Sequence, residues 1–343
     1  MANVIIEINE FIKMQQSGIC AVDVRTPAEF ERGHIPGAVN LPLFSNEERA
    51  VVGTEYKKVG RKNAILEGLK FVGPRLNEFA QKGIELADEK PLLIHCWRGG
   101  MRSFSMAWLL NLMEVETFTL KKGYKGFRNY VLKKFQQPYK FLVLGGKTGS
   151  AKTFVLQELQ KKGEQIIDLE GLALHRGSAF GSLGQSEKIT QEQFENELAF
   201  KLHGFNLEKN IWIEDESRHV GRTVLPLAIW ELMRSSPVIY LDIPQSVRVE
   251  YLMSQYGSTN EVEFLKQAFF DIKKRLGDVN FHTAISAIEG KDLKSACKIA
   301  LDYYDRAYEH GLAKRNQDSI RKIKFENINL QEIVNQLLLQ KQY

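Results

Sequence analysis

The stretch His95-Cys96-Trp97-Arg98-Gly99-Gly100-Met101-Arg102-Ser103 sets one thiol among two glycines and two arginines. It follows an apolar run, PLLIH at residues 91–95, and leads into an amphipathic segment at 102–113, so it reads as a loop from strand to helix. In such a loop backbone N–H groups converge, and the positive end of the helix adds to them. Arg98 and Arg102 bring further positive charge. All three effects favour thiolate over thiol, and the thiolate is the nucleophile. The same cradle can hold a tetrahedral oxyanion against the sulfur. The plainer alternative is a structural cysteine beside a tight turn, but two glycines and two arginines make a poor core.

A second loop has the composition of a phosphate cradle. After the apolar run FLVL at 141–144 come Gly145-Gly146-Lys147-Thr148-Gly149-Ser150-Ala151-Lys152-Thr153, then a helical pattern over 153–162. On the pattern Gly-x4-Gly-Lys-Thr, Gly146, Lys152 and Thr153 fit, while Ala151 stands in place of the second glycine. Backbone N–H groups from Gly146 through Lys147, Thr148, Gly149 and Ser150 can wrap a diphosphate. Lys152 can reach its outer oxygens, and Thr153 can hold Mg²⁺. The Ala151 methyl crowds the place where backbone meets ligand. A further apolar run, Ile211-Trp212-Ile213, ends in Glu214-Asp215-Glu216. Glu214 or Asp215 could contact Mg²⁺ through water or orient a nucleophile as acidic partner of the loop; solvated strand-end charges are the alternative.

Short apolar runs alternating with helical patterns imply βαβ units and parallel sheets. Residues 20–24 (CAVDV) and 91–95 read as strands of one sheet, each followed by a helix, at 27–32 and 102–113. Residues 46–82, rich in Glu, Lys and Arg with helically spaced apolar positions, read as a helical insertion over that sheet. The Lys-rich segment 121–134 and Gln136-Gln137-Pro138 resemble a junction. Beyond it, 141–144, 211–213 and 238–241 are strands, and 262–343 is mainly helical, with Phe264, Ala268 and Ile272 on one face. At roughly 150 residues per domain, 343 residues make two domains: an N-terminal parallel-sheet domain over 1–135, and a phosphate-loop α/β domain over 136–343 with a helical C-terminal region.

With 43% hydrophobic residues each domain can build a core, which disfavours extended disorder. A net charge of +5 permits an anionic partner without demanding one. Cys20, Cys96 and Cys297 form no disulfide framework and no CxxC zinc pattern; Cys20 and Cys297 read as structural. The opening MANVIIEINEFIKM carries Glu7 and Glu10 and lacks a basic leader, and no run approaches the about 18 apolar residues of a membrane helix. The expectation is a cytoplasmic protein with no membrane partner.

Asp23-Val24-Arg25-Thr26-Pro27-Ala28-Glu29-Phe30 and Gly33-His34-Ile35-Pro36-Gly37-Ala38-Val39-Asn40, taken with the Cys96 loop, resemble the rhodanese family. The resemblance implies a rhodanese-like sulfurtransferase domain whose cysteine carries a persulfide or a selenium analogue, with His34 a structural turn residue. Simple rhodaneses place the closing Arg five positions after the Cys. Here Met101 stands there and Arg102 is sixth. Cys-x5-Arg is the longer loop of the related phosphatases, and a wider cradle suits a phosphate-bearing group. Trp97 and Met101 read as loop anchors, with packing on an apolar ligand as the alternative.

Joined to a P-loop NTPase-like domain, Cys-Trp-Arg-Gly-Gly-Met-Arg-Ser resembles the tRNA 2-selenouridine synthase family. Residues 46–57, His175-Arg176-Gly177-Ser178-Ala179-Phe180-Gly181 and Glu214-Asp215-Glu216-Ser217-Arg218 add to the likeness. The resemblance implies a transferase acting on tRNA with a wobble 2-thiouridine. Geranyl diphosphate alkylates the sulfur, and selenium from selenophosphate then displaces the S-geranyl group. Both donors are substrates, Mg²⁺ is an expected helper, and no permanently bound cofactor is expected. An enzyme supplying selenophosphate is an expected partner. On this reading the phosphate loop takes the diphosphate. Cys96 accepts selenium as a selanylsulfide, and Arg98 and Arg102 steady the phosphate. Residues 57–70 and 121–134 are candidate tRNA contacts, with Tyr124 and Phe127 available to stack on bases, although solvated charged helices are the default. Two other readings stand: a Cys-x5-Arg phosphatase or sulfurtransferase with a nucleotide-binding domain, and a non-catalytic RNA-binding regulator.

Overall fold

The computed structural model describes residues 4–174, 189–256 and 262–340. The His175–Gly181 stretch lies outside the described residues. The chain divides into two compact units, Met1–Lys134 with Glu195–Phe200, and Phe135–Phe194 with Lys201–Tyr343.

The first unit runs β1 (Val4–Ile6), α1 (Ile8–Gln16), β2 (Cys20–Asp23), α2 (Pro27–Arg32), β3 (Val39–Asn40), α3 (Asn46–Lys58), α4 (Arg61–Val72), α5 (Leu76–Ala87), β4 (Leu92–His95), α6 (Met101–Leu112), β5 (Thr117–Leu120) and α7 (Gly123–Lys134). Its strands pair in the order β1-β5-β4-β2-β3, all parallel. Helices on both faces explain why β2 and β4 read as unbroken apolar runs rather than alternating ones. Ala21, Val22, Leu92, Leu93 and Ile94 are fully buried. Helices α3 to α5 cover one face through Val72, Phe79 and Ala87, with Phe44 from the preceding loop. Capping boxes set the starts of α2 (Thr26 with Glu29) and α3 (Ser45 with Glu48).

Helix α7 corrects one expectation. Tyr124, Phe127 and Val131, at helical spacing, are fully buried on the sheet side, so the two aromatics are not available to RNA bases. Each such ring buried contributes about 1.5–3 kcal/mol, and the lysines take the solvent side.

The second unit contains β6 (Lys140–Gly146), α8 (Lys152–Lys161), β7 (Gln165–Ile167), α9 (Leu169–Leu172), α10 (Gln191–His203, part of which belongs to the first unit), β8 (Asn210–Glu214), β9 (His219–Val220), β10 (Thr223–Val224), α11 (Leu227–Ser235), β11 (Val238–Asp242), α12 (Gln245–Tyr256), α13 (Val262–Leu276), α14 (Asp278–Glu289), α15 (Leu293–Ala313), β12 (Ile320–Lys324) and α16 (Leu330–Leu339). The main sheet has the order β12-β11-β6-β8-β7, again all parallel. Helices α13 to α15 share a core of their own, including Phe269, Ile272, Phe281 and Ala300. Strand β12 interrupts the mainly helical C-terminal pattern. Its sequence IRKIK has no strong apolar signal because it is an edge strand, recruited by pairing along the whole of β11 and kept polar against further pairing.

No helix among the described residues is long and apolar enough to cross a membrane. In each unit the middle strand of the five-stranded sheet, β4 or β6, delivers its loop at the carboxyl edge, where ligands of open parallel sheets bind.

Candidate functional site

The Cys96 loop is built as a nest for sulfur. Sγ accepts from the Gly100 N–H at 3.3 Å and lies 3.3 Å from the Ser103 hydroxyl, at the start of α6. Burial pushes the thiol up. The Ser103 side chain and the N–H groups of Gly100, Ser103 and Arg98 outweigh it and hold the thiol below its ordinary range. Cys96 is only 4% exposed, so the sulfur is enclosed by its own loop rather than open to solvent.

The start of α7 clamps this loop, a role not legible in the Lys-rich segment. Tyr124 N–H donates to the Cys96 carbonyl at 2.8 Å and Lys125 N–H to the Trp97 carbonyl at 2.9 Å. Gly99 and Gly123 meet with φ of +61° and +53°. A Cβ on Gly123 would stand 2.2 Å from the Cys96 oxygen, so glycine is required for the close approach as well as the turn.

The two arginines differ. Arg102 forks onto Glu29, at 2.7 and 3.3 Å, which holds the Glu29 carboxyl below its usual range against the opposing pull of burial. Arg98 is exposed and makes no side-chain ion pair or hydrogen bond among the described residues. Trp97 and Met101, read as anchors, are 38% and 47% exposed; Trp97 only tilts against Tyr124, with ring centroids 5.8 Å apart. His34 fits its structural reading, stacked on Phe30 with Nδ1 3.0 Å from the Phe30 carbonyl. His95 is fully buried, and neither ring nitrogen has a hydrogen-bond partner among the described residues. Burial, opposed by nearby Asp23, pushes its pKa down to about 4.

In the second unit the phosphate loop leaves β6 with Gly149 at φ +84° and Ala151 at φ +57°, both left-handed. That is why glycine is the expected residue at 151: a Cβ in this region costs roughly 1–2 kcal/mol. Ser150 is buried and its hydroxyl bonds the Lys147 carbonyl; Lys152 Nζ donates to the Gly146 carbonyl at 3.0 Å. Lys147 points instead to α15, 2.6 Å from Glu309 and 3.6 Å from Asp305. The Thr148 carbonyl accepts from buried Arg248 at 2.9 Å, and Arg248 pairs with Asp305 at 2.6 Å.

The strand-end carboxylates divide. Asp215 is engaged by Arg315 and Tyr308. Glu214 and Glu216 instead gather with Glu170 from α9, one oxygen of each lying within 4.8 Å of the others. Thr153 Oγ1 is 3.5 Å from Glu170 Oε2. Burial first, then repulsion from Glu170 and Glu216, pushes the Glu214 carboxyl well up; burial, opposed by Lys152 and helped by Glu170, pushes Glu216 to about 8. Glu170 carried no signal in the sequence, since it sits 44 positions from Glu214.

Beside the loop an apolar cavity opens among α12 to α15. Thr148 forms part of its wall with Leu252, Leu265, Phe269, Cys297 and Ala300. Apart from Thr148 and Tyr304, every lining side chain is aliphatic, aromatic or sulfur-bearing. Gly149 touches the same wall, a Cβ there standing 3.0 Å from Leu252 Cδ1.

Comparison with known proteins matches one family to each part of the chain. The rhodanese-like domain family matches residues 7–130, and the family described as the tRNA 2-selenouridine synthase AAA domain matches residues 139–338. A tRNA 2-selenouridine synthase of Nitrosomonas eutropha is 37% identical over 78% of this chain and 71% of its own. That of a Sulfurovum species is 36% identical over 82% and 79%, and that of Shewanella woodyi 32% over 94% and 96%. A thiol nest on one parallel sheet, a phosphate loop on another and these likenesses along nearly the whole chain place it in the tRNA 2-selenouridine synthase family.

Proposed function

We propose that this chain is a tRNA-modifying transferase that replaces the sulfur of wobble 2-thiouridine by selenium, through an S-geranyl intermediate. The observation that carries the finer reading is the apolar cavity sharing Thr148 with the phosphate loop. A loop that suits a diphosphate, bordered by a dry hydrocarbon wall, suits a donor with a charged head and an apolar tail. The diphosphate head lies on the N–H groups of Gly146 to Thr153 and near Lys152, which favours it as leaving group while the 2-thiouridine sulfur takes the geranyl carbon. Alkylation turns a poor leaving group into a better one.

Selenium enters the base as selenide, so the exchange is redox-neutral. A selanylsulfide on Cys96 would have to expel phosphite from selenophosphate rather than phosphate. We therefore assign Cys96 the displacement at C2. Its thiolate adds and geranyl thiol leaves with the C2–S electrons; selenide then adds and the thiolate leaves, while water takes the phosphoryl group as phosphate. Arg98, exposed at the loop and without a side-chain partner among the described residues, holds the phosphate of the donor. The exposed lysines of 121–134 and 57–70 offer sequence-independent contact to the tRNA backbone, and affinity for tRNA should fall steeply with salt. An enzyme that makes selenophosphate is the supplying partner.

The test is mass analysis of nucleosides after incubation with 2-thiouridine tRNA, geranyl diphosphate and selenophosphate, omitting each donor in turn. Without selenophosphate the S-geranyl nucleoside should accumulate. Cys96→Ser should still make it and yield no 2-selenouridine; equal loss of both products would overturn the division of labour.

A further inference from the structure

We propose that Asn196, on the stretch of α10 that belongs to the first unit, is a positioning residue for the Cys96 thiol and acts through Tyr124. Asn196 lies outside residues 7–130, where the rhodanese-like family matches, and inside the 139–338 match of the other family. Segment Glu195–Phe200 nevertheless groups with Met1–Lys134. The unit that carries the thiol thus takes a side chain from the second half of the sequence.

Asn196 is fully buried, and its amide is bonded at both ends. Nδ2 donates to the Tyr124 hydroxyl at 2.8 Å and to the His34 carbonyl at 2.9 Å, while Oδ1 accepts from Arg128 at 2.5 Å. A carbonyl can only accept and a guanidinium can only donate, so the amide has one orientation. Arg25 holds the same tyrosine: its guanidinium lies 3.7 Å from the Tyr124 ring centroid and donates to the Gly33 carbonyl at 2.7 Å. The consecutive carbonyls of Gly33 and His34 and the Tyr124 side chain are fixed by one buried network.

That network reaches the sulfur through the backbone. Tyr124 stands in the first turn of α7, where N–H groups have no partner within the helix. Its N–H donates to the Cys96 carbonyl at 2.8 Å, and that of Lys125 to the Trp97 carbonyl at 2.9 Å. The place of these carbonyls sets how the Gly100 N–H and the Ser103 hydroxyl meet Sγ, each at 3.3 Å. Phe127 and Val131 seat α7 by apolar contact, which has no direction. The Asn196 hydrogen bond is directional and fixes the first turn where the loop needs it.

The inference rests on reading Cys96 as the thiolate that selenation uses, and two readouts separate them. Reaction of Cys96 with iodoacetamide as a function of pH, followed by mass spectrometry of its peptide, reads the thiol without tRNA chemistry. In the full chain, Asn196→Ala and Tyr124→Phe should each move that profile to higher pH, with at least a threefold loss of reactivity at neutral pH. Both break one link, so the double variant should react no more slowly than the slower single one. Conversion of S-geranyl tRNA to 2-selenouridine should fall in parallel, with geranylation unchanged. A lower melting temperature with the parent's pH profile, or effects that multiply in the double variant, overturns the inference. Should Asn196→Ala not fold, Tyr124→Phe removes the same link from its other end and carries the comparison. A shifted profile with selenation intact would keep Asn196 as a positioning residue of the thiol and remove Cys96 from the proposed reaction.

Discussion

Asp215 and Arg315, a hundred positions apart, meet in an ion pair at 2.5 Å whose arginine is fully buried. The other Asp215 oxygen accepts from the Tyr308 hydroxyl at 2.8 Å, and that hydroxyl accepts from the Gly146 N–H at 3.0 Å. A residue that on sequence is a candidate cation partner thus ties α15 to the first glycine of the phosphate loop. Asp215→Asn should leave a buried guanidinium without its counter-charge and cost about 3–5 kcal/mol. Urea unfolding of the second unit checks it; a midpoint within error of the parent would show that the pair contributes little.

The low thiol pKa of Cys96 depends on Ser103. Ser103→Ala removes the hydroxyl 3.3 Å from Sγ and leaves the opposing effect of burial in place. The thiol pKa should rise, and alkylation by iodoacetamide at neutral pH should slow several-fold. The pH dependence of that rate is the measurement, and an unchanged profile would assign the shift to backbone N–H groups alone.

His95 should stay neutral through the physiological range. Its folded pKa of about 4 lies below the ordinary value near 6.5, so between these values the unfolded chain binds a proton that the folded one refuses. Stability is therefore present above about 6.5 and lost as pH falls toward 4, by ~3 kcal/mol in all. The imidazole NMR signal should not titrate between pH 8 and 5, and the acid-side loss in the first unit should shrink in His95→Gln.

Ala151→Gly relieves the left-handed strain at φ +57°. Relief of roughly 1–2 kcal/mol is offset by the greater freedom of glycine in the unfolded chain, for a net gain of up to about 1 kcal/mol. A higher melting temperature of the second unit is expected, with its circular dichroism unchanged.

Cys297→Phe narrows the apolar cavity from a half-buried wall position. Binding of geranyl diphosphate should weaken about tenfold while inorganic diphosphate binds as before. Equal loss of both would place the tail elsewhere.

Much of the chemistry was local and therefore legible. A thiol among glycines and arginines, and a glycine-rich loop before Lys152 and Thr153, announce themselves because strand, loop and helix are consecutive in the chain. The parallel sheets followed from apolar runs alternating with amphipathic ones, and the family from motifs carried by contiguous residues. Tertiary structure decided what those residues touch. Sheet order brings Glu170 to Glu214 and Glu216, and the packing of α15 withdraws Asp215 and Lys147. Glu29 occupies Arg102, the buried face of α7 removes Tyr124 and Phe127 from solvent, and four helices from α12 to α15 assemble the apolar cavity. Such pairings join residues tens to a hundred positions apart, and neither hydrophobic period nor motif spacing encodes them. They arise only when folded elements compete for the same buried surface and the same counter-charge.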